Sequence, residues 1–163
     1  MTTLLRALSF GTLAVLFSLI FIGGYVSSSG VGLTCPEWPL CPHGFVPAPE
    51  FVIEYTHRTV AASTAVLVVT TMAFTLKSKQ ASRAMKLTSV IAAGAVIGQV
   101  TLGAVVIVER LHSILVTGHL GLGLILFSMV LMTTVYAWKI KPQEKTLEAN
   151  RNNNPSSKQS AAY

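Results

Sequence analysis

Residues 111–138 read LHSILVTGHLGLGLILFSMVLMTTVYAW and contain no Asp, Glu, Lys or Arg. Three further stretches are equally free of charged side chains, namely residues 7–36, 59–76 and 87–108. A helix that crosses a bilayer needs about 20 predominantly apolar residues. Because each stretch approaches or exceeds that length, the sequence predicts an all-α integral membrane four-helix bundle.

The predicted transmembrane domain covers residues 1–140. Its spans are expected at about residues 7–26, 52–76, 87–108 and 113–138, with a long loop at 27–51. Residues 141–163 are polar and rich in Asn and Ser, so a disordered tail is predicted there. The chain of 163 residues is 52% hydrophobic and 11% charged. Soluble domains average about 25% charged residues, so a soluble globular domain is excluded.

Lysine and arginine predict the orientation of the spans. They concentrate in the N-terminus, the second connection and the tail: Arg6; Lys77, Lys79, Arg83, Lys86; Lys139, Lys141, Lys145, Arg151, Lys158. The positive-inside rule then places both termini in the cytoplasm and the loop 27–51 outside the cell membrane. This distribution also explains the net charge of +6, and no nucleic-acid motif accompanies it. Arg6 and the apolar run after it also resemble a signal peptide, but the run is long for one, which favours an uncleaved helix.

Both cysteines, Cys35 and Cys41, lie in the loop that is predicted to face outward. Disulfides persist in such an oxidising compartment, so a structural disulfide is the preferred interpretation. Two alternatives remain open, a redox-active pair and a metal site that includes His43. Thiol oxidoreductases more typically have Cys-x-x-Cys spacing, which is not found here.

Two histidines, His57 and His119, lie near the predicted outer ends of the second and fourth spans. These spans run in the same direction, and each histidine follows the start of its span by five to seven residues. At 1.5 Å per residue, both rings lie roughly 8–10 Å from the outer end. Two imidazoles at one depth in a helical bundle are suited to bind a haem iron from opposite faces. The alternative is that each histidine is an ordinary packing residue.

Four other side chains are candidates for the same site. Glu54 precedes His57 by three residues and shares its helix face. Arg58 is suited to a haem propionate, to lipid headgroups or to an ion pair with Glu54. Gln99, in the middle of the third span, is expected to form a hydrogen bond across helices or to contact a ligand. His112 is expected to be solvated, with a role at a propionate, in a proton path or at a metal as the alternative.

Four stretches taken together resemble the haem A synthase (CtaA) family of membrane enzymes. They are residues 32–41 (GLTCPEWPLC), 53–58 (IEYTHR), 98–103 (GQVTLG) and 119–122 (HLGL). Members of this family are oxidoreductases that convert the C8 methyl group of haem O to a formyl group, which yields haem A.

The resemblance implies a role for each candidate residue. His57 and His119 would be the axial ligands of a haem iron, with Arg58 and Gln99 also in contact with the cofactor. Glu54 would be the catalytic acidic residue. Cys35 and Cys41 would form the outer-loop disulfide of the family.

Family members usually contain two four-helix halves, one thought to hold the substrate haem and the other haem b. This chain corresponds to one half, so the resemblance implies a homo-oligomer and leaves open whether haem b, haem O or haem A is bound. Membrane lipid and haem O are the expected partners, with a haem O synthase and a terminal oxidase as candidates.

Two other function classes are kept as alternatives. One is a four-helix b-type cytochrome or haem carrier, because the histidine pair alone would suit it equally well. The other, which is less favoured, is a membrane thiol-disulfide oxidoreductase that uses Cys35 and Cys41.

Overall fold

The computed structural model describes residues 2–35 and 48–140. These residues form four α-helices: α1 (Thr2–Ser28), α2 (Val52–Lys77), α3 (Arg83–Val108) and α4 (Ser113–Lys139). A short 3₁₀ turn, Pro49–Phe51, leads into α2. Each of the four helices is long and apolar enough to cross a membrane. The prediction of four membrane-spanning helices in an all-α chain is therefore confirmed, whereas residues 36–47 and the predicted tail at 141–163 lie outside the described residues.

The helices extend beyond the predicted apolar spans at two of their starts. α1 begins at Thr2 and includes Arg6, and α3 begins at Arg83. An apolar span marks the part of a helix that meets hydrocarbon, whereas the helix continues for as long as its backbone groups find partners. At α3 the partner is Ser82, whose hydroxyl accepts a hydrogen bond from the Met85 amide at 3.1 Å.

The Arg6 side chain of α1 donates hydrogen bonds to backbone carbonyls at the end of α4. Its guanidinium donates hydrogen bonds to the carbonyl oxygens of Ala137 at 3.2 Å and Trp138 at 3.3 Å, and also to that of Ile140. It also lies over the Trp138 ring, 5.6 Å from the ring centroid. These carbonyls lie at or just after the end of α4, where helix carbonyls have few backbone donors. That of Ala137 also accepts a long hydrogen bond from the Ile140 amide, at 3.4 Å.

The helices pack in chain order, α1 against α2, α2 against α3 and α3 against α4, and α4 returns to pack against α1. α2 and α4 therefore face each other across the bundle. We call the end at Ser28, Val52, Val108 and Ser113 the histidine end, because His57 and His119 lie near it. We call the opposite end, at Thr2, Lys77, Arg83 and Lys139, the basic end.

The helix bundle has a small buried core and an apolar outer surface. Seven buried side chains form the main core: Leu16, Val68, Ala92, Ala93, Val96, Leu126 and Val130. Large apolar side chains also cover the outside, for example Phe21, which is 76% exposed, and Ile114, which is 73% exposed. An apolar exterior over this length is what a lipid environment requires of a membrane bundle.

Hydroxyl groups join the helices in the half toward the basic end. The Oγ1 atoms of Thr12 and Thr71 lie 2.9 Å apart, and those of Thr88 and Thr133 lie 2.8 Å apart. The Thr134 hydroxyl donates to the Ser9 carbonyl at 3.1 Å. Hydrogen bonds between helices stabilise association in a medium where hydrocarbon contacts alone do not distinguish protein from lipid.

Candidate functional site

His57 lies in the second turn of α2 with its ring against the backbone of α1. A Cβ atom built on Gly23 would lie 3.0 Å from His57 Cε1, which is tighter than most real Cβ contacts, so the ring would have to give way by a few tenths of an ångström. The ring therefore occupies space that the absence of a side chain at Gly23 leaves open. Its Nδ1 atom is buried and has no hydrogen-bond partner among the described residues.

His119 repeats this arrangement on the other side of the bundle. A Cβ atom built on Gly103 of α3 would lie 3.3 Å from His119 Cε1. The Nδ1 atom of His119 is also buried and lacks a hydrogen-bond partner in the part of the chain that the structure describes. Each histidine is thus packed on a glycine of the helix that precedes its own helix in the chain.

The two histidines face each other from α2 and α4 at similar positions along their helices. His57 follows the first residue of α2 by five positions, and His119 follows the first residue of α4 by six. At 1.5 Å per residue, these positions are about 8 and 9 Å from the helix starts.

Buried polar atoms in proteins almost always have hydrogen-bond partners, so two unpartnered ring nitrogens at one end of the bundle require an explanation. Imidazole nitrogens are also good metal ligands. Two of them supply only part of the ligand set that a metal ion needs, so this pair suits a metal that brings other ligands with it, as in a macrocycle. We call this pair of side chains, His57 and His119, the histidine clamp.

Beside this clamp, Glu54 and Arg58 bind the backbone of the segment that follows α1. Glu54 is 2% exposed, and its Oε1 accepts a hydrogen bond from Arg58 Nη2 at 2.6 Å. Its Oε2 accepts from the Cys35 amide at 2.9 Å and from the Thr34 hydroxyl at 3.1 Å. Arg58 Nη2 also donates to the Cys35 carbonyl at 2.7 Å. The ion pair of Glu54 and Arg58, one of the alternatives raised by the sequence, therefore anchors both backbone groups of Cys35.

Gln99 lies on α3, one turn from Gly103 toward the basic end. Its Nε2 atom occupies the space next to Gly123 of α4, 2.9 Å from where a Cβ atom would stand. Its Oε1 atom is buried and has no hydrogen-bond partner within residues 2–35 and 48–140. Gln99 thus reaches toward α4, and its Oε1 atom forms no hydrogen bond across helices within the described residues. Contact with a ligand, the other alternative raised by the sequence, stays a prediction.

The remaining candidates lie apart from the clamp or outside the described residues. His112 is exposed at the start of α4, and its side chain forms no cap hydrogen bond to the helix. Cys35 is fully buried. Cys41 and His43 lie outside the described residues, so the Cys35–Cys41 pairing and the role of His43 stay predictions.

The sequence did not identify Gly23, Gly103 or Thr34 as parts of the site. Gly103 and Thr34 lie in stretches that resemble the haem A synthase family, but nothing in their spacing indicates which side chain each one contacts. Gly23 is followed by Gly24, and only the structure distinguishes the two: a Cβ atom on Gly24 would meet no atom within 4 Å. These contacts are tertiary and cannot be read from local pattern.

A family profile and individual relatives with similar sequences both point to one protein family. Residues 47–162 match the sequence profile of the cytochrome oxidase assembly protein family COX15-CtaA. The chain is 33% identical over 138 residues to the haem A synthase of Bacillus licheniformis, an alignment that covers 83% of this chain and 45% of that protein. It is 32% identical over 142 residues to the haem A synthase of Geobacillus kaustophilus, covering 85% of this chain and 44% of that protein.

The alignment with a less similar relative covers similar shares of the two chains. The haem A synthase of Symbiobacterium thermophilum is 28% identical over 134 residues, which cover 80% of this chain and 44% of that protein. The chain thus spans about half the length of the curated relatives that it matches.

Proposed function

We propose that this chain, which belongs to the COX15-CtaA family of cytochrome oxidase assembly proteins, is a membrane oxidoreductase of haem A biosynthesis. Its substrate would be haem O, whose C8 methyl group is oxidised to a formyl group. The observation that supports this most directly is the pair of buried, unpartnered imidazoles of His57 and His119 on opposing helices.

The residues present fit a haem. His57 and His119 would hold the iron from α2 and α4, and Gly23 and Gly103 provide the space in which the two rings sit. A bound haem supplies the redox-active iron and, as haem O, the methyl group that is oxidised. With water as the oxygen source, oxidation of this methyl group to a formyl group releases four protons and four electrons, so the enzyme would also need an electron acceptor.

Glu54 would provide a fixed negative charge beside the reacting porphyrin. Both of its carboxylate oxygens accept hydrogen bonds, Oε1 from Arg58 and Oε2 from the Cys35 amide. Stabilisation of positive charge requires no movement, because the carboxylate is held by Arg58, Thr34 and the Cys35 amide. This fixed position supports an electrostatic role for Glu54, and the role of proton acceptor stays the alternative.

Arg58 would act near the haem propionates while it retains its ion pair. Its Nη2 atom binds Glu54 and the Cys35 carbonyl, and its side chain is 14% exposed. The planar guanidinium has several donors and pairs well with carboxylates. Gln99, with its unpartnered Oε1, would offer a hydrogen-bond acceptor one turn further into the bundle.

We further propose that the protein is a multi-pass protein of the cell membrane with its basic end in the cytoplasm. Lys77, Arg83 and Lys139 mark this end, and the positive-inside rule applies to short connections of this kind. A homo-oligomer is also proposed, in which a second copy of the chain would supply a further four-helix unit. A haem O synthase and a terminal oxidase would be the functional partners.

A second candidate function is a b-type cytochrome or haem carrier. It is favoured by the full engagement of Glu54, since a carboxylate whose partners are all structural suits a protein that only binds haem. The two functions differ in their product, because only the enzyme generates a haem that carries a formyl group.

The test is a haem analysis of the purified full-length protein, produced together with a haem O synthase. Haems would be extracted and their masses determined, alongside a reduced-minus-oxidised spectrum. We expect haem A or its hydroxylated intermediate, and we expect His57→Ala and His119→Ala to lose the bound haem.

His112→Ala serves as the matched control, because His112 is an exposed histidine at the same end of the bundle. It should leave haem content unchanged. Haem O or haem b without an oxidised product would favour the cytochrome or carrier. Well-folded protein that binds no haem would exclude both functions.

A further inference from the structure

The bundle consists of two helix hairpins with the same internal register. The first hairpin is formed by α1 and α2, and the second by α3 and α4. The shifts in residue number that take Gly23 to Gly103 and His57 to His119 also pair the buried residues along the helices. These pairs are Leu5/Met85, Ser9/Ser89, Thr12/Ala92 and Leu16/Val96 for α1 and α3, and Thr64/Leu126, Val68/Val130, Thr71/Thr133 and Thr75/Ala137 for α2 and α4. Because equivalent helices lie opposite each other and run in the same direction, the hairpins are related by an approximate two-fold axis along the bundle.

The contacts that position the two histidine rings lie within the hairpins. His57 packs on Gly23 in the first hairpin, and His119 packs on Gly103 in the second. The two threonine hydroxyl pairs described above, nearer the basic end, likewise each join the helices of a single hairpin. Each hairpin is thus held together along its length and carries one half of the histidine clamp.

Hydrogen bonds between the hairpins lie toward the basic end. Within residues 2–35 and 48–140, the side-chain hydrogen bonds from one hairpin to the other are those of Arg6 to the end of α4 and that of Thr134 to the Ser9 carbonyl. Residues 78–82, which link the hairpins covalently, also lie at the basic end. At the histidine end the contact is apolar: a Cβ atom on Gly32 would lie 3.2 Å from Leu111 Cδ1.

The packed core is likewise displaced toward the basic end. In the ten residues of each helix that are nearest the histidine end, the only buried residues are Glu54 and Val106. Glu54 binds the segment after α1 and so belongs to contacts within the first hairpin. Regions with few buried apolar contacts open at a lower free energy than a packed core does. Separation of the hairpins should therefore cost least at the histidine end.

We propose that the two hairpins open as rigid units at the histidine end, with the packed basic half as the hinge, and that a flat ligand enters the histidine clamp through this opening. The proposal rests on the function proposed above. His57 and His119 belong to different hairpins, so the opening moves the two rings apart while each stays on its own glycine. Hinge motions of packed units occur in microseconds to milliseconds.

The experiment blocks the opening with a reversible crosslink. Gly32→Cys/Leu111→Cys places one thiol on each hairpin, at two positions that are in contact at the histidine end. A short, reducible bis-thiosulfonate reagent joins the two thiols. The background is Cys35→Ser/Cys41→Ser, so that no other thiol reacts. The full chain is studied in phospholipid nanodiscs, and the ligand is haem b, which has the iron and the macrocycle that the clamp would hold.

Gly98→Cys/Leu122→Cys in the same background is the matched control. A Cβ atom on Gly98 would lie 3.2 Å from Leu122 Cδ2, the same distance as in the contact between Gly32 and Leu111. Both control positions belong to the second hairpin, on α3 and α4. This crosslink therefore leaves the two hairpins free to separate.

The rates of haem b binding and release would be measured by stopped-flow absorption. We expect the crosslink between residues 32 and 111 to slow both rates by about ten-fold or more, because the ligand passes only when the hairpins separate. The dissociation constant should stay nearly unchanged, since binding and release cross the same barrier. Reduction of the crosslink should restore both rates, and the control crosslink should change neither.

Unchanged rates in the protein crosslinked between residues 32 and 111 would overturn the proposal, because haem would then enter without separation of the hairpins. Equal slowing by the two crosslinks would also overturn it, since the control leaves the hairpins free to separate. A wild-type protein that binds no haem b would contradict the proposed function itself, and with it this route of entry, whereas the other two results leave that function standing.

Discussion

The imidazole of His57 is packed directly on Gly23, so closely that a Cβ atom on this glycine would lie 3.0 Å from His57 Cε1. The contact joins α1 to α2 at the histidine end. His119 and Gly103 join α3 to α4 in the same way. Each half of the clamp is therefore contained in a pair of consecutive helices, and a haem would be held where the two pairs meet.

Adding a methyl group at Gly23 should damage the clamp. In Gly23→Ala the new Cβ forces the His57 ring to move, and overpacking of this kind costs about 1–3 kcal/mol. We expect haem affinity to fall by about ten-fold, measured by titration of the apoprotein. Gly24→Ala is the matched control, because its Cβ would meet no atom within 4 Å. Equal effects of the two substitutions would show that the contact between Gly23 and His57 is unimportant.

Removing the Glu54 carboxylate should destabilise the protein. Glu54→Ala leaves the buried Cys35 amide and the guanidinium of Arg58 without this partner. Breaking a buried ion pair by removing one member costs about 3 kcal/mol or more. We expect a loss of this size in the free energy of unfolding in detergent, against almost no change for the exposed Glu50→Ala.

The catalytic role of Glu54 is tested on the same variant, with conversion as the readout and retained haem as the sign that the site is intact. In Glu54→Ala, haem should be retained while conversion of haem O is lost, as measured by haem extraction and mass determination. Conversion at the wild-type level would show that Glu54 serves only to anchor Cys35.

The sequence was sufficient to predict the four helices because a charge-free stretch of about 20 residues has few other uses in a protein. It did not predict that α1 includes Arg6 as part of the helix. The hydrogen bond from Arg6 to the Ala137 carbonyl joins residues 131 positions apart, and no local pattern indicates such a contact.

For the candidate site, the sequence identified the ionisable residues but not the space around them. His57 and His119 could be paired by their distances from the predicted span starts, since helix geometry converts residue number into depth. The glycines that contact them could not be assigned, because many glycines in the chain face open space, including Gly94 and Gly121. Which glycine meets a ring depends on how the helices are rotated.

The hydrogen bond between Thr12 and Thr71 should contribute modestly to stability. A double-mutant cycle with Thr12→Val and Thr71→Val should give a coupling free energy of about 0.6 kcal/mol, the average for such pairs in a membrane bundle. Thr117→Val is the control, since the exposed Thr117 hydroxyl donates within its own helix. A coupling energy of zero would mean that the two hydroxyls do not depend on each other.

The turn between α3 and α4 contains backbone strain that glycine should relieve. Arg110 and Leu111 have φ values of 50° and 61°, in the left-handed region that is unfavourable for residues with a side chain. This conformation costs roughly 1–2 kcal/mol per residue. We expect Arg110→Gly to raise the free energy of unfolding by about 1 kcal/mol, while Arg110→Ala, which keeps the strain and removes the charge, should not. A gain in both variants would assign the effect to the charge.

The predicted disulfide between Cys35 and Cys41 can be tested by alkylation. Protein isolated without reductant should incorporate no thiol label after denaturation, and prior reduction should expose two thiols, as counted by mass spectrometry. A Cys35→Ser/Cys41→Ser variant that retains haem and conversion would exclude the thiol oxidoreductase function. Labelling without reduction would contradict the disulfide.

The contact between Arg6 and the end of α4 has a consequence for biogenesis. α1 is synthesised first and α4 last, so the carbonyl oxygens at Ala137 and Trp138 receive the guanidinium only after all four helices have left the ribosome. Until then, water at the membrane surface has to form the hydrogen bonds of the Arg6 guanidinium and of the carbonyl oxygens in the last turn of α4. Closure of the ring of helices between α1 and α4 is therefore expected only after α4 has been inserted.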